Sequence, residues 1–404
     1  MKTRRPITPT LVLLAIIALA SGRALAQTPP PSEPWPERAA RQSRAAEKVG
    51  LAEPFRGITT DGKVQPGLFS IHSTGVTTEP VRTATTAWLV TLNPGQKAKA
   101  TFAIDDIEWR QWMNQDFYVR QGVSFQEMSD TQRAAAFALL KAALSAKGLQ
   151  LSQDIMKLNE TLAELNHDWA RYGERLYWIT VMGTPSATQP WGFQIDGHHL
   201  IINYFVLGDQ VVMSPVFLGS EPVVATSGKY QGTAILQAEQ NRAVQLLLGL
   251  DEKQRTRAVL AFSKTGNNNL TEAFKDNVVL DYAGVPAREL TAGQKQALLD
   301  LIELFVSNLA EGQARVKMAE VRAHLDETCF AWIGGSAPDG VFYYRIHSPV
   351  VLIEFDHQKP VNTRHLSTSP NLPSREHIHI VVRTPNGNDY GKDLLRQHLL
   401  AQPH

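Results

Sequence analysis

The chain has 404 residues, 43% of them hydrophobic and 20% charged, with 40 Lys and Arg against 39 Asp and Glu. That composition is globular and excludes disorder over most of the length. A net charge of +1 leaves no basic field to hold nucleic acid and no acidic tail, and the single cysteine, Cys329, excludes an internal disulfide.

At the N-terminus Lys2, Arg4 and Arg5 precede the uncharged apolar run Leu11–Ala20, and Ala24-Leu25-Ala26 follows. Basic residues, then an apolar core, then small residues is the order of a secretory signal peptide, here cleaved after Ala26. The core is about half of what a helix needs to cross a bilayer. Residues 1–26 therefore predict an exported protein, periplasmic or secreted, with no membrane attachment after cleavage. Loss of Lys2, Arg4, Arg5 and Arg23 turns the net charge from +1 to −3.

Residues 27–36 hold five prolines and read as a tether; the alanine-rich stretch Pro36–Val49 reads as a helix ended by Gly50, so that 27–50 is tether and helix. Residues 51–82 are rich in turns, and residues 84–172 read as mainly helical. The pattern [Asn/Ser/Asp/Thr]-x-x-Gln-[Lys/Arg] recurs at Asn93, Ser129, Asp251 and Thr291. Each occurrence is a capping box, in which the first side chain accepts from the backbone N–H three residues on and the Gln side chain reaches back. They read as four separate helix starts rather than as a repeat of one whole unit, since no solenoid period is present.

Two regions carry the alternating, β-branched and aromatic patterning of strands, about 176–218 and 329–384, and an almost wholly helical block over 235–327 lies between them. Strands in two clusters without β-α-β alternation predict an α+β fold, with residues 51–404 forming one unit whose sheet is assembled from the two distant regions.

Seven of the twelve histidines fall in those β regions. In His377-Ile378-His379 the period of two sends both imidazoles to one face and Ile378, Ile380 and Val382 to the other, where they can enter the core. Two such rings can converge on a metal if a neighbouring segment adds a ligand. Gly197-His198-His199 offers one of His198 or His199, whose rings go to opposite faces. The run Val350–Asp356 places Glu354 beside apolar side chains, where a carboxylate is costly unless it is paired or ligates a cation. This set predicts a divalent transition-metal site (Zn, Fe, Mn or Cu) of His198 or His199, His377 and His379, with Glu354 as ligand and catalytic carboxylate. Arg345 and Arg383, on or beside histidine-bearing strands, are candidates to hold an anionic small-molecule substrate.

The stretches Phe55–Gly62, Asp105–Trp112, Gly197-His198-His199-Leu200, Phe217–Pro222, Tyr344–Pro349, His377-Ile378-His379 and Asn388–Gly391 together resemble the bacterial domain-of-unknown-function 3500 family over about residues 50–400. The resemblance implies one family-length unit and no established chemistry. Two functions follow from the residues. One is an exported metal-dependent enzyme, hydrolase or oxidoreductase. The other is an exported noncatalytic protein whose Trp- and Tyr-rich strands line a pocket for a small molecule or glycan.

Overall fold

The computed structural model describes residues 34–337 and 339–401. Residues 1–26, read as a signal peptide, and most of the proline-rich tether lie outside them. The first helix, α1, spans Trp35–Gly50, with Pro36 in its first turn as the sequence predicts. Two successions of elements follow. The first is α2 (Glu79–Thr91), α3 (Pro94–Ala100), β1 (Thr101–Phe102), β2 (Val123–Ser124), α4 (Asp130–Ala143), α5 (Ala146–Asn166), and then strands β3 (Tyr177–Met182), β4 (Trp191–Gly197), β5 (Leu200–Leu207) and β6 (Gln210–Ser220). The second is α6 (Gln237–Leu248), α7 (Glu252–Ala258), β7 (Val259–Ala261), β8 (Val285–Pro286), α8 (Ala292–Val306), α9 (Glu311–Ala323), and strands β9 (Cys329–Gly334), β10 (Phe342–His347), β11 (Leu352–His357) and β12 (Ile378–Arg383). Helix α10 (Lys392–Ala401) closes the described chain.

The twelve strands form one mixed sheet in the order β1-β3-β4-β5-β6-β12-β11-β10-β9-β7, with β2 on β3 and β8 on β9. The α+β class and the assembly of the sheet from two distant regions are as read from the sequence. The two successions are copies of one topology. In each, a short helix leads into an edge strand parallel to the first long strand (β1 on β3, β7 on β9), a two-residue strand packs antiparallel on that same long strand, and a four-strand meander follows. The halves join where β6 pairs antiparallel with β12. Their helical connectors also meet reciprocally: Ser145 N–H donates to Asn308 O at 3.0 Å and Ala310 N–H to Ala143 O at 3.1 Å.

This corrects the reading of the four capping boxes as unrelated. All four are formed as predicted, and they occur as the starts of α3 and α4 in one half and of α7 and α8 in the other. Their glutamines pair within each half, Gln132 Nε2 on Gln96 Oε1 at 2.7 Å and Gln294 Nε2 on Gln254 Oε1 at 2.8 Å. The duplication resides in element order and cap placement. Gly122 and Gly284, just before β2 and β8, mark it too. Both have positive φ, and a Cβ on either would stand 2.4 Å or 2.1 Å from a carbonyl oxygen of the adjoining long strand.

The helical blocks are also less continuous than the patterning predicts. Residues 103–122 and 262–284 are irregular apart from a short 3-10 turn at Ile107–Arg110. In each half they occupy the same place, between the edge strand and the two-residue strand, and help cover the face of the sheet that the helices leave. The helix-covered face carries the larger core, including Trp332, Phe342, Tyr344, Phe355, Ile378 and Ile380. The opposite face packs Ile201, Phe205, Phe217 and Val381 against Trp109, Trp112, Tyr390 and Leu394. Among the described residues no helix is long and apolar enough to cross a membrane.

Candidate metal centre

The antiparallel register places His379 directly opposite Gly219 of β6 on one side and Asp356 of β11 on the other. Alternation then sends His377 and His379 to the loop-covered face, while Ile378 and Ile380 enter the helix-side core and Val382 packs against it. The third ring comes from the turn between β4 and β5. His199 sits there with φ +63°, its N–H donating to Asn114 O at 3.1 Å and its carbonyl accepting from Gly219 N–H at 2.9 Å. Gly219 is what lets the imidazoles meet. A Cβ on it would stand 2.5 Å from Ile378 O and 3.3 Å from the His199 ring.

The three Nε2 atoms form a small triangle: His377 to His379 at 2.9 Å, His199 to His379 at 3.2 Å and His377 to His199 at 3.3 Å. All three residues are buried. The other ring nitrogens decide what this triangle is. His377 Nδ1 lies 2.7 Å from Lys359 O, and a carbonyl only accepts, so Nδ1 carries the proton. His379 Nδ1 lies 2.7 Å from Glu272 Oε1 and donates to it. In the neutral rings both Nε2 atoms are then bare lone pairs facing each other, an arrangement stabilised by a shared cation and unfavourable otherwise. Burial works the same way, pushing His377 down to about 4 and His199 well below its ordinary range, so that neither is charged at neutral pH. Tetrahedral coordination at about 2.0–2.1 Å separates ligand nitrogens by about 3.3–3.4 Å, close to the triangle found.

Carboxylates stand behind the rings, not among them. Burial raises Glu272, but its His379 and Asn269 partners hold it below its ordinary value. Glu221 Oε2 lies 3.5 Å from His377 Nδ1, and the carboxylate is held by the N–H groups of Val361, Asn362 and Thr363 and by the Thr363 hydroxyl. Such partners fix the tautomer and orientation of ligating imidazoles. Neither Glu272 nor Glu221 was singled out in the sequence: Glu272 stands in a segment read as helical, and Glu221 follows the last patterned residue of β6.

The other expected site residues lie elsewhere. His198 is a platform: its ring stacks on His199 at 4.0 Å and its Nδ1 is 2.9 Å from Asn159 Oδ1. Glu354 shares the loop-covered face with His379 but sits on β11 opposite Val381. Its fully buried carboxylate accepts from Leu270 N–H, from the N–H and hydroxyl of Thr271 and from Tyr343 Oη, so segment 262–284 seals it away from the triad. The expectation that it ligates is corrected accordingly. Arg345 lies opposite Glu354 on β10 and points its Nη2 at Asp281, again away from the triad. Arg383 is fully buried, with Nε on Thr271 O, Nη1 on Asp276 and Asp389, and Nη2 on Glu272 O. Four of its five N–H groups are taken and the side chain is fully buried, so Arg383 does not face a substrate. Most of the Trp and Tyr residues of the strands pack in the helix-side core, Tyr344 stacking on Phe355 at 5.0 Å, while Tyr343 bonds Glu354 on the other face.

A cavity of about 260 Å³ opens directly over the triad, walled by α1, residues 114–117, Arg171, the β4–β5 turn and Val361-Asn362. Fold and site together define an internally duplicated α+β protein with a buried group of three histidines able to hold a metal ion. The chain belongs to the family described as proteins of unknown function (DUF3500), whose model matches residues 74–392 and so takes in both halves and all three histidines. No curated protein and no solved structure matches it.

Proposed function

We propose that this protein is an exported, divalent-metal-dependent enzyme that activates water or a carbonyl-type oxygen for hydrolysis, with His199, His377 and His379 as its protein ligands. The observation that carries the reading is the pair of lone-pair-bearing Nε2 atoms of His377 and His379, 2.9 Å apart, with His199 Nε2 completing the triangle. Three neutral imidazoles with the remaining position turned to a cavity is the ligand pattern of a catalytic zinc site. A two-histidine, one-carboxylate set would favour iron chemistry instead, and the acid that set requires is held behind the rings or bonded elsewhere. A zinc ion there would supply Lewis acidity and lower the pKa of bound water. The histidines fix its place, Glu272 and the Lys359 carbonyl keep their tautomers, and the cavity limits what reaches it.

Export is supported by the basic, apolar and small-residue order of residues 1–26. In cell fractions the mature protein is expected to begin at Gln27; a retained N-terminus in the cytoplasm would contradict this. The metal reading is tested by elemental analysis of purified protein. One zinc per chain is expected, lost in His377→Ala/His379→Ala with the circular dichroism spectrum preserved. Wild-type protein that takes up no divalent metal, and whose melting temperature is unmoved by a chelator, would favour the noncatalytic binding protein.

A further inference from the structure

The cavity over the triad has a polar group with nothing to bind. Asn114 is 2% exposed and lines the cavity, and its Nδ2 amide has no hydrogen-bond partner. Its own carbonyl accepts the His199 N–H at 3.1 Å, so the carboxamide is pinned next to the turn that carries a ligand. A buried donor without an acceptor is destabilising, and an oxygen brought in through the cavity satisfies it. The mouth adds charge. Two guanidinium groups lie over the indole of Trp35, Arg38 at 4.8 Å and Arg171 at 4.0 Å. Asp116 takes Nε and Nη2 of Arg171, whereas no ion pair engages Arg38 among the described residues. An exposed positive charge therefore stands at the rim, above a floor where the three histidines would hold a cation with a coordination position open to the cavity.

Resting on the three-histidine reading, we infer that the cavity takes a small organic carboxylate as substrate or product. One carboxylate oxygen faces the cation position, the other accepts from Asn114 Nδ2, and the body of the molecule lies toward Trp35 with Arg38 attracting its charge. The volume of about 260 Å³ falls just below the range of sites for drug-sized ligands, which restricts the occupant to a short molecule. Asn114 is in this account a specificity residue, and the segment 114–117 has a use beyond covering the sheet.

The test uses the full mature chain loaded with Co²⁺, whose visible spectrum reports its coordination, titrated at constant ionic strength with acetate, succinate and the neutral analogue acetamide. Acetate and succinate are expected to change the spectrum saturably, and acetamide to leave it unchanged. Asn114→Leu is expected to weaken both carboxylates by about tenfold or more at unchanged cobalt stoichiometry. Asn114→Asp, which keeps the shape and adds a like charge, is expected to weaken them further and serves if the leucine variant does not fold. Arg38→Gln is expected to weaken succinate more than acetate. Cobalt bound one to one with a spectrum indifferent to both carboxylates, or equal affinities in wild type and both Asn114 variants, would overturn this inference and leave the metal reading standing. Failure to bind cobalt at all would overturn both.

Discussion

Gly219, by having no side chain, and Glu272, by its carboxylate, most directly set the triad. Opposite His379, any Cβ on residue 219 collides with Ile378 O and crowds the His199 ring, so Gly219→Val is expected to separate the imidazoles and lower zinc affinity at least tenfold, read by competition with a chromophoric chelator. Glu272 accepts from His379 Nδ1. Glu272→Leu removes the acceptor that fixes the tautomer, and the expected loss in metal affinity is about 10- to 100-fold; Glu272→Gln keeps an acceptor oxygen and should lose less. A leucine variant that binds zinc as tightly as wild type would show that Glu272 has no role at the centre. At this scale the sequence was legible where geometry is local. The spacing of His377 and His379 puts both rings on one face by strand alternation alone, and the pair Ile378 and Ile380 lands in the core for the same reason. Choosing His199 over His198 needed the left-handed backbone of residue 199 and the glycine across from it, neither of which alternation reports.

The irregular segment 262–284 is the element that ties the site together. It carries Glu272 to His379, covers Glu354 through Leu270 and Thr271, and is fastened to β12 by Arg383, which bonds Thr271 O, Glu272 O and Asp276. A rigid Arg383 therefore holds in register the strand that carries two ligands and the segment that carries their carboxylate. Arg383→Met leaves Asp389 buried without its cationic partner and Asp276 with Arg110 alone, with an expected cost of about 3–5 kcal/mol in urea unfolding. A cost within experimental error of zero would show that the network does not hold the segment. These links explain why Arg383 and Glu354 were misread in sequence. Each is on the face that alternation assigns, but most of the groups that occupy them lie about 80 to 110 residues away in the chain, in a segment whose Gly266-Asn267-Asn268-Asn269 and Gly284-Val285-Pro286 carry turn rather than helix signals. Helix α1 is fastened more lightly, by Ser43 Oγ accepting from Val119 N–H at 3.0 Å and by Glu47 accepting from Tyr118 Oη at 2.8 Å, and it forms one wall of the cavity mouth.

In the whole molecule, two copies of one topology share a sheet, and the triad draws from both: His199 from the first half, His377 and His379 from the second. Fold class and the two β regions were legible because strand and helix periodicities are strong. The duplication was not, because it survives in cap positions and element order while the side chains of the halves have diverged. Buried ionisable groups make the stability of the whole depend on pH. Burial, with the nearby Asp196 carboxylate, pushes Glu108 up to about 9, so between its ordinary value and about 9 the folded protein keeps a proton that the unfolded chain releases, and stability falls as pH rises through that window. Glu108→Gln should flatten that limb, by up to about 1.4 kcal/mol per pH unit. Burial holds His347 and His357 down to about 4 and about 3, so below the ordinary histidine value the unfolded chain gains protons first and stability falls as pH drops. Urea midpoints across pH 4–9 are expected to show a maximum near neutrality, with the alkaline limb removed in Glu108→Gln; an unchanged alkaline limb would place the responsible group elsewhere.

The ligand set itself is open to direct measurement by X-ray absorption at the zinc edge on the loaded protein. Three imidazole nitrogens at about 2.0–2.1 Å with one lighter-atom oxygen are expected, falling to one imidazole or none in His377→Ala/His379→Ala. A shell dominated by carboxylate oxygens, or one unaltered by the double substitution, would mean that the ion is held somewhere other than between His199, His377 and His379.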